Sequence, residues 1–177
     1  PVQPTAAQGI TVVGAASSGL QPPPPATPGG AARACGRCTA CCEGWVEGEI
    51  RGHRMIPGRH CHFLSQGACT IYAERPESPC RQFVCGWLAP GSPLPEAFRP
   101  DRIGVIPLAT VWRGRRAWVL VPAGRDPDAD TLAWMREHAH ATGSPFFYER
   151  QGERIGYGPP EFQQEMQQRM QRGERLW

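Results

Sequence analysis

The stretch CGRCTACC, residues 35–42, places four cysteines in eight positions, two of them adjacent. The use of these thiols decides the fold, because a disulfide framework and a metal centre impose different architectures on so short a chain. Residues three apart in a turn or short helix can aim their sulfurs at one point, as a metal–sulfur distance of about 2.3 Å requires. Outward from this stretch the remaining cysteines are Cys61, Cys69, Cys80 and Cys85, and the rest of the chain has none. The full pattern is C-x2-C-x2-C-C, eighteen residues, then C-x7-C-x10-C-x4-C.

An even cysteine count permits disulfides, but a disulfide scaffold spreads its bridges over the whole domain, and half of this one is free of them. A thiolate ligand must lose its proton, and a bound cation supplies the field that favours this at neutral pH. Metal binding is therefore the favoured reading, with Cys35, Cys38, Cys41, Cys42, Cys61, Cys69, Cys80 and Cys85 as candidate ligands. Iron–sulfur and zinc both remain open. Cys35, Cys38 and Cys41 match the first three positions of the bacterial ferredoxin run, but Cys42 follows at once and the x3-C-P continuation is missing. A fourth ligand would then come from Cys61, Cys69, Cys80 or Cys85. Zinc accepts the same thiolates four to a tetrahedron, and eight cysteines divide into two such sites.

The stretches CGRCTACCEGW and HCHFLSQGACTIYAERPESPCRQFVCGW resemble the CxxCxxCC (YkgJ-like) cysteine-cluster family of zinc- or iron-chelating proteins. The matching positions are the eight cysteines, Ile71 and Tyr72 after Cys69, the Arg75–Pro76 pair, and Arg81 and Phe83 between Cys80 and Cys85. The likeness covers about residues 35–88, and LPEAFRPDRIGVI looks like a common continuation. It implies a metal-binding, bacterial, cytoplasmic protein and no particular reaction.

Around the cysteines, Ile71 and Tyr72 are expected to pack against the site and keep water off it. Pro76 and Pro79 stiffen the approach to Cys80. Arg75 and Arg81 are candidates to donate hydrogen bonds to sulfur or to nearby carbonyls. His53, His60 and His62 are competing ligands, but His60 and His62 flank Cys61 and in an extended segment face away from its side. Glu43, Glu47 and Glu49 read as solvated.

The 177 residues suggest one domain with a tail. Residues 1–32 carry no charge and are rich in Ala, Pro and Gly, so they are expected to be disordered. Residues 33–90 form the cysteine region, 91–158 a hairpin–helix–hairpin region packed on it, and 159–177 an amphipathic helix with Phe162, Met166 and Met170 on one stripe. RIGVIPLATVW and RAWVLVPAG read as a hairpin turning near Gly114, and PFFYERQGERIGYG as a second turning near Gly152. Between them a helix is expected from Pro127 to Ala141, with Leu132, Met135 and Ala139 facing the first hairpin and His138 and His140 on different faces. The fold class is α+β.

The net charge is +3 and every basic residue is Arg, which excludes a lysine Schiff base or a Walker-type phosphate loop. Arg113, Arg115 and Arg116 read as a solvated hairpin tip rather than a nucleic-acid site. No stretch is long enough to span a bilayer. No catalytic constellation is visible. The expected function is a thiolate-held iron–sulfur cluster or zinc with a redox or electron-transfer role. The alternative is a zinc-stabilised interaction module, in which the terminal helix or tail meets a protein partner.

Overall fold

The computed structural model describes residues 33–56 and 58–174. The tail expected over 1–32 lies outside them, as do the last three residues of the expected terminal helix.

Two β-branched, apolar runs form strands β5 (Val105–Trp112) and β6 (Arg115–Pro122), paired antiparallel. The connecting residues Arg113 and Gly114 have φ of 48° and 75°, the two positive values a two-residue hairpin loop demands. Strands β7 (Phe146–Arg150) and β8 (Glu153–Tyr157) repeat the device with Gln151 and Gly152 at 53° and 76°. The expected hairpins are both present. They are joined into one four-stranded sheet, in the order β5-β6-β7-β8, by parallel pairing of Trp118 with Phe146 and Leu120 with Tyr148. A parallel pair needs a crossover of a dozen or more residues, and helix α2 (Ala129–Thr142) supplies it.

Paired residues point to the same side of a sheet and neighbours alternate, so the register divides the side chains into two faces. One face presents Trp118, Tyr148, Phe146 and Tyr157 to α2, where His138 lies near the Trp118 ring and His140 Nε2 is 2.7 Å from the Tyr157 hydroxyl. The other presents Trp112, Val119 and Phe147 to helix α3 (Pro160–Gln171), whose Phe162 meets Trp112 edge-on at 5.4 Å. Leu132, Met135 and Ala139 of α2 are buried in the same core as the first hairpin, and His138 is buried whereas His140 is exposed, as the helical spacing predicts. Phe162 and Met166 are buried and Met170 packs beside them, so the terminal helix docks on its own sheet. It is shorter than expected, because Arg172 caps it.

Helix α2 begins one residue after Asp128, whose carboxylate accepts the Thr131 amide at 2.7 Å. This bond holds the Asp128 carboxyl below its ordinary range. Asp128→Ala should cost about 1 kcal/mol, a typical N-cap loss. Because the folded pKa is depressed, the cap's contribution is present above the ordinary carboxylate value of 3.8 and is lost as pH falls below it. Urea melts of both forms at neutral pH and below pH 3.8 should therefore converge on acidification.

The cysteine half is irregular, with two small hairpins that the cysteine pattern hid. Strands β1 (Gly48–Ile50) and β2 (His53–Met55) turn at Arg51–Gly52, and β3 (Leu64–Ser65) and β4 (Ala68–Cys69) turn at Gln66–Gly67. All four of these turn residues have positive φ. A one-turn helix α1 (Pro100–Ile103) leads into β5. The half docks on the outer edge of β5, where Pro107 offers a carbonyl but no amide, and the Gly86 N–H donates to that carbonyl at 2.6 Å. Arg33 closes the other side, donating to the Trp87 and Leu94 carbonyls at 2.7 and 2.8 Å.

Candidate metal centre

Cys41 and Cys42 sit on a 3-10 turn, Ala40–Glu43, whose three residues per turn rotate successive side chains by about 120°. The two adjacent thiols therefore leave the backbone in different directions. Gly44 ends the turn at φ 98°, and a Cβ there would lie 2.7–2.8 Å from the Arg59 backbone. Gly44→Ala combines left-handed strain with a rigid clash, and about 2–4 kcal/mol of destabilisation is expected. A lowered melting temperature would check it.

The Cys38 N–H donates to the Cys35 carbonyl at 2.8 Å, closing the first C-x2-C turn. The Cys61 N–H donates to the Cys42 carbonyl at 2.7 Å, fixing the second segment beside the first. Cys69 lies opposite Leu64 in the β3–β4 hairpin, and Leu64, three residues after Cys61, donates its N–H to the Cys61 carbonyl. Cys80 follows Pro79, whose ring covers Gly48 so closely that a Cβ there would be 2.8 Å away. Cys85 precedes Gly86, the docking point on β5.

The result is one cavity of about 420 Å³ lined by all eight cysteines. All eight are free thiols. The other walls are mostly apolar, with Val46, Ile71, Phe83 and Trp87 among them. Ile71 packs where expected, whereas Tyr72 is a rim residue, 45% exposed, with the Arg75 guanidinium 4.0 Å from its ring. Arg75 lines the cavity. Arg81 instead donates to the Arg75 and Ala73 carbonyls at 2.9 and 3.2 Å, holding the loop before Cys80 in shape.

Burial raises the thiols, and their mutual repulsion adds to it. Cys42 is pushed up to about 12 by burial and by the neighbouring charges of Cys61, Cys69 and Cys80. Cys41 is driven higher still by burial together with Cys85 and Cys38. Cys80 rises by burial and by Cys61 and Cys69, with Arg75 alone pulling the other way. Cys38 and Cys85 also rise by burial, opposed by backbone amides that donate to their sulfurs, Ala40 and Asp101 at Cys38, Leu88 and Trp87 at Cys85. Such a pocket disfavours bare thiolates and so needs a cation or protons to balance them.

The histidines stand apart. His53 and His62 stack on each other at 3.6 Å and, with His60, Arg54 and Arg59, line a separate surface hollow. Cys61 is buried while both its histidine neighbours are exposed, although the segment is not extended as expected but opens a turn in which the Leu64 N–H donates to the Cys61 carbonyl. Glu43 and Glu49 are exposed, and Glu43 accepts the Thr39 hydroxyl at 2.6 Å. Arg113, Arg115 and Arg116 are exposed at the hairpin tip.

Among the described residues, no three His, Cys, Asp or Glu side chains stand in the arrangement of a single-ion site. Thiolates sharing one ion at about 2.3 Å lie within about 4 Å of each other, whereas thiolates on different irons of a cluster are separated by the cluster itself. The fit of an inorganic group rests on one buried polar atom. Trp87, which sequence reading passed over, lines the cavity at 3% exposure, and its indole N–H has no acceptor. A buried orphan donor marks a missing acceptor, and sulfide or thiolate sulfur is one. The CGW step after Cys85 was its only sequence signal.

No family model, no curated protein and no solved structure matches the chain.

Proposed function

We propose that the chain holds iron–sulfur through its thiolates and serves as an electron carrier or redox sensor of the CxxCxxCC kind. The observation that carries this reading is the convergence of eight free thiols on one apolar-walled space of about 420 Å³, larger than a single ion fills. When bound, an iron–sulfur group supplies one-electron chemistry at a potential tuned by burial and by hydrogen bonds to sulfur. The chain's own contribution is to exclude water with Ile71, Phe83 and Trp87 and to aim amides at Cys38 and Cys85. Arg75 and Tyr72 form the rim through which a protein partner would exchange electrons. Free thiols suit a reducing compartment such as the cytoplasm. Among the described residues no helix is long and apolar enough to cross a membrane.

Anaerobic purification followed by metal, sulfide and absorption analysis tests the proposal. A brown protein with iron and acid-labile sulfide is expected. A colourless protein with stoichiometric zinc would replace it with the zinc-stabilised module, and a metal-free protein without titratable thiols would overturn it.

A further inference from the structure

The eight cysteines are not equivalent in their packing. Cys38, Cys41 and Cys85 belong with the main core under the sheet, alongside Trp87 and Phe98. Cys42, Cys61 and Cys80 belong with a separate small core built on Ile50 and Met55. The two remaining thiols are placed by the backbone. Cys35 is tied to Cys38 through the bond from the Cys38 amide. Cys69 is tied to Cys61, because it pairs with Leu64, whose amide donates to the Cys61 carbonyl.

We infer that the chain builds two neighbouring four-thiolate metal centres, one from Cys35, Cys38, Cys41 and Cys85 and the other from Cys42, Cys61, Cys69 and Cys80. This division rests on the proposal that the thiolates hold metal. The first set is a C-x2-C-x2-C run completed by a remote cysteine, the pattern a cluster of four thiolate ligands takes. The amide-bonded turn between Cys35 and Cys38 assigns Cys35 to the first set.

The division also explains the adjacent pair. On a 3-10 turn, consecutive side chains diverge by about 120°, so Cys41 and Cys42 cannot comfortably serve one centre and are suited to two. Cys41 and Cys42 then link the two centres through a single peptide unit within the one cavity. Two redox groups that close would exchange electrons more readily than either would with a partner in solution.

The test uses the full chain, reconstituted anaerobically with ferrous iron and sulfide, and in parallel with zinc. Cys38→Ser/Cys85→Ser removes two ligands from the first set, and Cys38→Ser/Cys80→Ser removes one from each. The former should keep half of the wild-type metal, with Cys42, Cys61, Cys69 and Cys80 still protected from iodoacetamide. The latter should lose nearly all of it. Equal losses in the two variants would overturn the division while leaving a thiolate centre in place, and a wild-type chain that takes up neither metal would overturn both. Wild-type chain at half saturation gives the same reading without substitution. Intact mass after alkylation should show a population with four modified cysteines, mapping to one set or the other. Only unmodified and fully modified chains, or four labels scattered across both sets, would overturn it.

Discussion

On the proposed function, chelation of the metal is expected to unfold the cysteine half and leave the four-stranded sheet standing. Among the described residues the small core offers only Ile50, Met55 and Cys61 as fully buried apolar side chains. The strands around it are three and two residues long. Isolated hairpins of this size are marginal in water, so the proposed metal ligation, worth about 10–16 kcal/mol in structural zinc peptides, would be the folding energy of this half. The sheet has its own core, with Trp118, Phe146, Leu120 and Met135 almost wholly buried. Hydrogen exchange reads the difference. The amides of Cys61, Leu64 and Thr70, which bond to the Cys42, Cys61 and Phe63 carbonyls, should lose protection on chelation. Those along β6 and β7 should keep it, and loss of both together would show one cooperative unit instead.

While the cysteine half is folded with its thiols protonated, Cys42 is raised from an ordinary 9.0 to about 12. A raised pKa means that the folded state holds its proton more tightly. That contribution is complete below pH 9.0 and is lost as pH rises toward 12. Metal affinity runs the other way, because each ligand must release a proton, so loading should strengthen as pH rises through the neutral range.

Trp118→Ala is expected to cost about 3–5 kcal/mol, a large part of the roughly 5–15 kcal/mol that holds a typical domain together. Trp118 is 1% exposed on the second strand of the sheet. Its ring lies against Gly86, where an added Cβ would be 2.5 Å from it, and near His138 of α2. Removing it opens a cavity under the helix and takes away the surface on which the Cys85 segment docks. Its indole N–H has no acceptor, so the substitution breaks no hydrogen bond and the cost is one of packing alone. A fall in the denaturation midpoint together with reduced metal content is the expected pair of readings. A normal midpoint would mean that the site and the sheet do not share this side chain.

The two main hairpins and the α2 helix were legible because their signals are local. β-branched, apolar runs flank Arg113–Gly114, an aromatic run precedes Gln151–Gly152, and an Asp before the helix and a Gly after it mark the ends. The small hairpins at Arg51–Gly52 and Gln66–Gly67 use the same turn chemistry. They escaped notice because two- and three-residue strands carry too little alternation to stand out. The parallel pairing of β6 with β7 had no local signal at all, since it depends on how α2 folds back over Trp118.

By itself the sequence determined that eight thiols would cluster, because their number and spacing admit few uses. Only the tertiary structure decided which thiols are neighbours, that Trp87 closes the cavity with an unanswered N–H, and that Arg81 shapes a loop rather than touching sulfur. Those facts depend on contacts between segments up to fifty residues apart along the chain, from Cys35 to Cys85, and such contacts are set by the packing of whole surfaces rather than by any short run of residues.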